Sequence, residues 1–212
     1  MPLCIKKQED FRISADNVKK FDPVSWNKLI PVGGTKNYRT DFKLLYSETG
    51  IYGLFRCEDK MISCSGLPDG GDLYTEDVLE LFIQPDIRYP IYMEYELSPL
   101  NKELLLMVSH NGEAFYGWLP FHYSEERKTV HITWSEVDLA EKVNCREWYA
   151  MLYIPFALFE GVSVKRPVSG TVWRGNVFRI DYDNGETSRF AWEQECKTEF
   201  HDYRKYAEFV FE

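Results

Sequence analysis

Val78-Leu79-Glu80-Leu81-Phe82-Ile83-Gln84 and, after a break bounded by Pro85 and Pro90, Ile91-Tyr92-Met93-Glu94-Tyr95-Glu96-Leu97-Ser98 are the stretches on which the fold turns. Residues two apart on a strand share a face. The first run puts Leu79, Leu81 and Ile83 on one side and Val78, Glu80 and Phe82 on the other. The second puts Ile91, Met93, Tyr95 and Leu97 opposite Tyr92, Glu94, Glu96 and Ser98. A period of two, with aromatic and β-branched residues between turn signals, reads as strand. If the two strands pair as neighbours, one sheet face presents Glu80, Glu94, Glu96, Phe82 and Tyr92 together.

The same pattern continues on both sides. Lys43–Ser47 and Gly50–Cys57 flank the polar turn Glu48-Thr49 and read as a hairpin. Glu103–Ser109 follows a turn at Pro99-Leu100-Asn101, and Ala114–Trp118 follows a turn at Asn111-Gly112. Thr129–Trp134, Trp148–Ile154, Val172–Tyr182, Arg189–Trp192 and Ala207–Phe211 complete the set. Many short strands with frequent turns predict an all-β sandwich or barrel. Helix is expected only at Val137–Val143 and at Pro155–Glu160, the second with proline at its start. Gly66–Asp72 reads as a flexible loop rather than a boundary, because strand signals continue beyond it. With no repeat, low-complexity tract or linker, residues 1–212 are expected to form one domain, with 1–40 an extended segment packed on it.

Composition narrows the function. Of 212 residues, 44% are hydrophobic, enough for a substantial core. The aromatic share of 16% serves that core first and flat, partly apolar ligands second. A net charge of −9 disfavours phosphate backbones and anionic membrane surfaces, so neither nucleic acid nor membrane is an expected partner. Five cysteines, an odd number without a CxxC pair, suggest buried thiols rather than a disulfide framework or a zinc site. Gln8, Glu9 and Asp10 interrupt any export signal at the N-terminus, so the sequence as it stands reads as cytoplasmic, or as secreted if a signal peptide has been removed.

Rings beside carboxylates suit sugars. The apolar C–H face of a pyranose packs on a ring, and its hydroxyls donate to carboxylates. The plainer reading of the same face is a solvated surface with scattered charges. A third reading is glycoside hydrolysis, which needs two carboxyls at a set separation across the scissile bond.

The C-terminal third carries Trp173-Arg174-Gly175-Asn176-Val177-Phe178-Arg179-Ile180-Asp181, then Phe190-Ala191-Trp192, Phe200-His201 and Phe209-Val210-Phe211. Upstream stand Tyr74-Thr75-Glu76-Asp77-Val78-Leu79-Glu80-Leu81-Phe82 and Tyr92-Met93-Glu94-Tyr95-Glu96-Leu97-Ser98-Pro99. In this order the segments resemble the family 9 carbohydrate-binding modules that accompany xylanases, over roughly residues 40 to 212. The resemblance implies a jelly-roll or immunoglobulin-like β-sandwich of two antiparallel sheets with one or two short helices. It also implies non-catalytic binding of a mono- or oligosaccharide whose terminal sugar is clamped between two aromatic rings.

Carried over, Trp192 matches one clamp ring, and Tyr74 stands where the other is usually tryptophan. Glu80 matches the acidic hydroxyl acceptor. Arg189 occupies a polar ligand-contact position and would suit an acidic sugar; Glu94 and Glu96 share the face. Core packing is the other reading of Trp192 and the favoured one for Trp173. Gly175 is expected to allow close backbone approach. Arg174 and Asp181 are expected to pair, and His201 to satisfy loop backbone groups. Asp69, Asp72, Glu76 and Asp77 offer the oxygens a structural calcium takes, though they match no EF-hand spacing, and solvated loop acids are the alternative. No other cofactor is implied. The competing functions are a hydrolase using Glu80, Glu94 or Glu96, and an interaction sandwich that has lost sugar binding.

Overall fold

In the computed structural model, which describes residues 2–111, 115–120, 128–141, 145–160, 162 and 165–212, every alternating run forms a strand. In chain order these are β1 (Leu3–Lys7), β2 (Asn27–Lys28), β3 (Ile30–Gly33), β4 (Thr40–Tyr46), β5 (Gly50–Glu58), β6 (Val78–Gln84), β7 (Ile91–Leu97), β8 (Glu103–His110), β9 (Phe115–Pro120), β10 (Val130–Ser135), β11 (Glu147–Pro155), β12 (Val172–Asp183), β13 (Glu186–Ala191) and β14 (Ala207–Phe211). Gly112 and Ala114, expected in a turn and a strand, lie outside the described residues, as does Val143 of the expected helix. Within 137–143 the described part is a single 3₁₀ turn at Leu139–Glu141. Pro155 caps the 3₁₀ turn Phe156–Phe159 rather than entering it.

The strands join in the order β10-β11-β5-β4-β1-β14-β12-β6-β7-β8-β9, with β13 pairing β12 and β3, and β2 pairing β4. This departs from two separate antiparallel sheets. β1 runs parallel to both β14 and β4, and so links the two halves into one continuous path. Residues 1–40 are therefore not only an extended segment, since they supply β1, β2 and β3. Strands this short carry too few alternations to announce themselves.

The path curls until its halves face each other. Leu79, Leu81 and Ile83 of β6 and Met93, Tyr95 and Leu97 of β7 share one core with Phe42, Leu44, Phe55, Trp148, Ala150 and Leu152 from β4, β5 and β11. Each such leucine, isoleucine, methionine or phenylalanine, fully buried, contributes about 1.5–3 kcal/mol. Trp173 belongs to this core, its ring 5.1 Å from Phe159 and 5.0 Å from Phe211. Gly175 is needed beside it: a Cβ there would lie 2.3 Å from Cε2 of Phe209 and 2.5 Å from the carbonyl oxygen of Phe82.

The charge pair on β12 differs from the expected one. Asp181 accepts from Arg179, two residues away on the same face, and not from Arg174. The buried Arg179 guanidinium also donates to Asp59 at 2.9 Å, to the Glu58 carbonyl at 2.6 Å and to Thr40 at 3.1 Å. Burial pushes the Asp181 carboxyl up to about 7 even though Arg179 opposes the shift. Among the described residues no helix is long and apolar enough to cross a membrane.

Candidate functional site

The second face of the β6–β7 pair holds the site. The two strands are neighbours, with Glu80 opposite Glu96 and Phe82 opposite Glu94. On the flanking strands Phe178 stands opposite Glu80, and Leu104 and Leu106 stand opposite Glu96 and Glu94. This face is not an open, solvated surface. Two segments without strand structure fold over it. Leu73 plugs in from one side, and Cys196, Phe200 and Tyr206 from the other, to make a second apolar cluster with Val78, Phe82, Tyr92 and Phe178. Phe200 stacks on Phe178 with ring centres 4.0 Å apart, and the Tyr206 hydroxyl donates to the Phe200 carbonyl at 2.8 Å.

Between these segments lies a cavity of about 380 Å³, near the lower end of the roughly 300–1,000 Å³ common for small-molecule sites. Its floor is sheet: Glu80, Glu94, Leu104, Leu106, Ile180 and Arg189. One wall is Gly70, Asp72 and Tyr74, and the other Thr198, Glu199, Phe200 and His201. Because Leu73 is buried, its neighbour Tyr74 turns outward and stays 45% exposed at the rim. The Tyr182 hydroxyl holds that wall by donating to the Tyr74 carbonyl at 2.9 Å. The opposite wall is tied by a 2.7 Å hydrogen bond between the Tyr92 hydroxyl and Nδ1 of His201.

The structure brings Tyr74, Glu80, Glu94 and Arg189 to one cavity, with Glu96 buried on the same face opposite Glu80. It does not bring Trp192 there. On β13, Arg189 and Ala191 face the cavity side, so Phe190 and the following Trp192 turn into the core between the halves. The Trp192 ring packs edge-on to Phe42 and tilted on Phe209, each with centres 5.9 Å apart. Asn176 holds that corner through two hydrogen bonds with the Glu193 backbone. The Tyr74–Trp192 clamp is therefore not assembled. Phe82 and Tyr92 are not platforms either, since both are fully buried.

The carboxyls are strongly perturbed. Burial pushes Glu94 up to about 7, with a hydrogen bond from Glu96 holding it down. Burial and then Glu94 raise Glu80 well above the usual carboxylate range, while Arg189 pulls the other way. Burial, then Glu80 and Glu94, do the same to Glu96. Burial lowers His201, so near neutrality its ring is uncharged. Such a floor can accept or donate hydrogen bonds to hydroxyls according to where its protons sit.

The acids suggested for calcium disperse. Asp77 spends both oxygens on the backbone N–H groups of Ser63 at 2.6 Å and Tyr182 at 2.7 Å. Asp69 accepts from the Glu103 backbone, Glu76 from that of Ser65, and Asp72 lines the cavity. Among the described residues no three acidic, histidine or cysteine side chains are placed to hold a metal. His201 reaches the Tyr92 side chain and lines the cavity, and only its place beside Phe200 signals this in the sequence. Glu199, Thr198 and the Leu104–Leu106 strip carried no signal of their own.

No family model and no curated protein matches this chain. Solved structures do. A Bacteroides uniformis ATCC 8492 protein, described as a carbohydrate-binding candidate, matches with a TM-score of 0.80 at 15% identity, over 100% of this chain and 99% of its own. A family 9 carbohydrate-binding module from Caldicellulosiruptor kristjanssonii in complex with cellotriose matches with a TM-score of 0.70 at 13% identity, over 100% and 94% of the two chains. A family 9 module from the same organism in complex with glucose gives 0.67 at 14% identity, over 99% and 95%. The chain has the fold of these modules along its whole length.

Proposed function

We propose that this protein binds a carbohydrate non-catalytically, in the cavity floored by Glu80, Glu94 and Arg189. The observation that carries this is the pairing of buried, hydrogen-bonding side chains with an apolar strip and an exposed ring in one cavity of small-molecule size. Tyr74 would stack on the C–H face of a terminal sugar, while Glu80, Glu94 and Arg189 orient its hydroxyls. Leu104, Leu106 and Ile180 would receive the less polar edge. The likeness to modules in complex with cellotriose and glucose supports this reading, and it also supports reading the curled sheet as a jelly-roll-type sandwich. A non-catalytic role fits the layout of the acids: Glu80, Glu94 and Glu96 all rise from one sheet face, whereas hydrolysis uses carboxyls that flank the bond. Affinity would be modest, since sugar hydroxyls exchange water for protein partners.

Titration calorimetry with gluco-, xylo- and uronic oligosaccharides tests the proposal on the wild type, Tyr74→Ala and Glu80→Gln. Saturable heat that weakens about tenfold or more in either variant is expected. No heat with any sugar at about millimolar concentration, the affinity floor considered, would favour an interaction sandwich. Release of cleaved sugar would favour a hydrolase.

A further inference from the structure

Glu94 is a group on the cavity floor whose needs the protein meets only in part. It is 5% exposed, it lines the cavity, and its Oε2 receives no hydrogen bond from the described groups. A buried acceptor without a donor is costly, and a buried charge without a counter-charge more so. Next to it, Glu80 lines the same floor and stands directly opposite Glu96, a cross-strand pair that opposes folding when both are charged. Asp72 and Glu199 add acids to the two walls. Against these the lining holds one guanidinium, Arg189, and the His201 ring, whose Nδ1 is 3.9 Å from Oε2 of Glu94 and engaged with Tyr92.

Resting on the carbohydrate-binding reading, we propose that the cavity selects an amino sugar, with the protonated amine seated against Glu94 and Glu80. A hydroxyl would supply Oε2 with a donor but no charge. An ammonium supplies three donors and a positive charge that can take the place of the carboxyl protons, and its hydrogen bonds to carboxylate are about twice as strong as neutral ones. A uronic acid would set its carboxylate beside Glu80 and Glu94, so the acidic-sugar preference that Arg189 alone suggests is reversed by its surroundings. The raised carboxyls are consistent with this: they hold protons that an arriving ammonium replaces.

The test is calorimetric titration of the wild-type chain near neutral pH with glucose, glucosamine, N-acetylglucosamine and glucuronate. Glucosamine is expected to bind about tenfold tighter than glucose, the scale of a charge-assisted over a neutral hydrogen bond. N-acetylglucosamine, whose amine is neutralised, should lose that advantage, and glucuronate should be weakest. In Glu94→Gln, checked for folding by circular dichroism, the glucosamine-to-glucose ratio should fall towards one. Glucose binding as well as glucosamine would overturn the amino-sugar preference and leave carbohydrate binding standing. Binding of none of the four or of the oligosaccharides above would overturn both. Should Glu94→Gln not fold, the N-acetylglucosamine comparison on the wild type decides.

Discussion

Glu80 and Glu96 stand directly opposite each other across the β6–β7 ladder, 3% and 0% exposed. Like charges placed so are destabilising, and burial removes the water that would screen them. The folded chain answers by keeping protons on this group of acids.

That arrangement sets a pH dependence. The folded values of Glu80 and Glu96 are raised, Glu94 is pushed up to about 7, and Asp77 to about 8. In the unfolded chain such groups titrate near 4. Between those limits the folded state binds more protons, so their contribution is fully present below about pH 4 and is lost as pH rises through about 7 to 8. The thermal midpoint is expected to drop between about pH 5.5 and pH 8. Glu96→Gln should flatten the drop and add about 1–3 kcal/mol at the upper end. Melting curves of both proteins across that range check it, and parallel profiles would mean the acids are hydrated.

Trp192 separates core from site. Its ring packs on Phe42 and Phe209, away from the cavity. Trp192→Ala is expected to cost about 2–3 kcal/mol of stability, while the folded fraction still binds ligand. Denaturant midpoints and calorimetry on the same variant check both halves. Stability unchanged with binding abolished would return Trp192 to the site.

Arg179 holds two acids in the core, Asp59 and Asp181. Removing a buried partner leaves uncompensated charge, so Arg179→Met should cost about 3–5 kcal/mol, and more as pH rises through about 7 and Asp181 ionises. Denaturant titration at two pH values measures this. A loss below about 1 kcal/mol would mean water reaches the cluster.

The sequence by itself determined what is local. A period of two in Val78–Gln84 and Ile91–Leu97 dictated strands and divided their side chains between faces, which put Glu80, Glu94 and Glu96 on one side. The resemblance picked out Tyr74 and Arg189, which the structure brings to the same cavity. What depended on distant residues was decided only by tertiary structure. β1 joins the halves by pairing with β4 and β14, a contact between residues far apart in the chain. The Leu73–Thr75 turn and the segment around Phe200 convert an exposed sheet face into a cavity floor, burying Phe82 and Tyr92 and perturbing the acids. Trp192 lies just past the end of β13, where alternation fixes its side only relative to Arg189, and which side holds ligand depends on what covers each face. Alternation is written into neighbouring residues; covering depends on segments outside the strands, one of them over a hundred positions away around Phe200, and no local pattern encodes it.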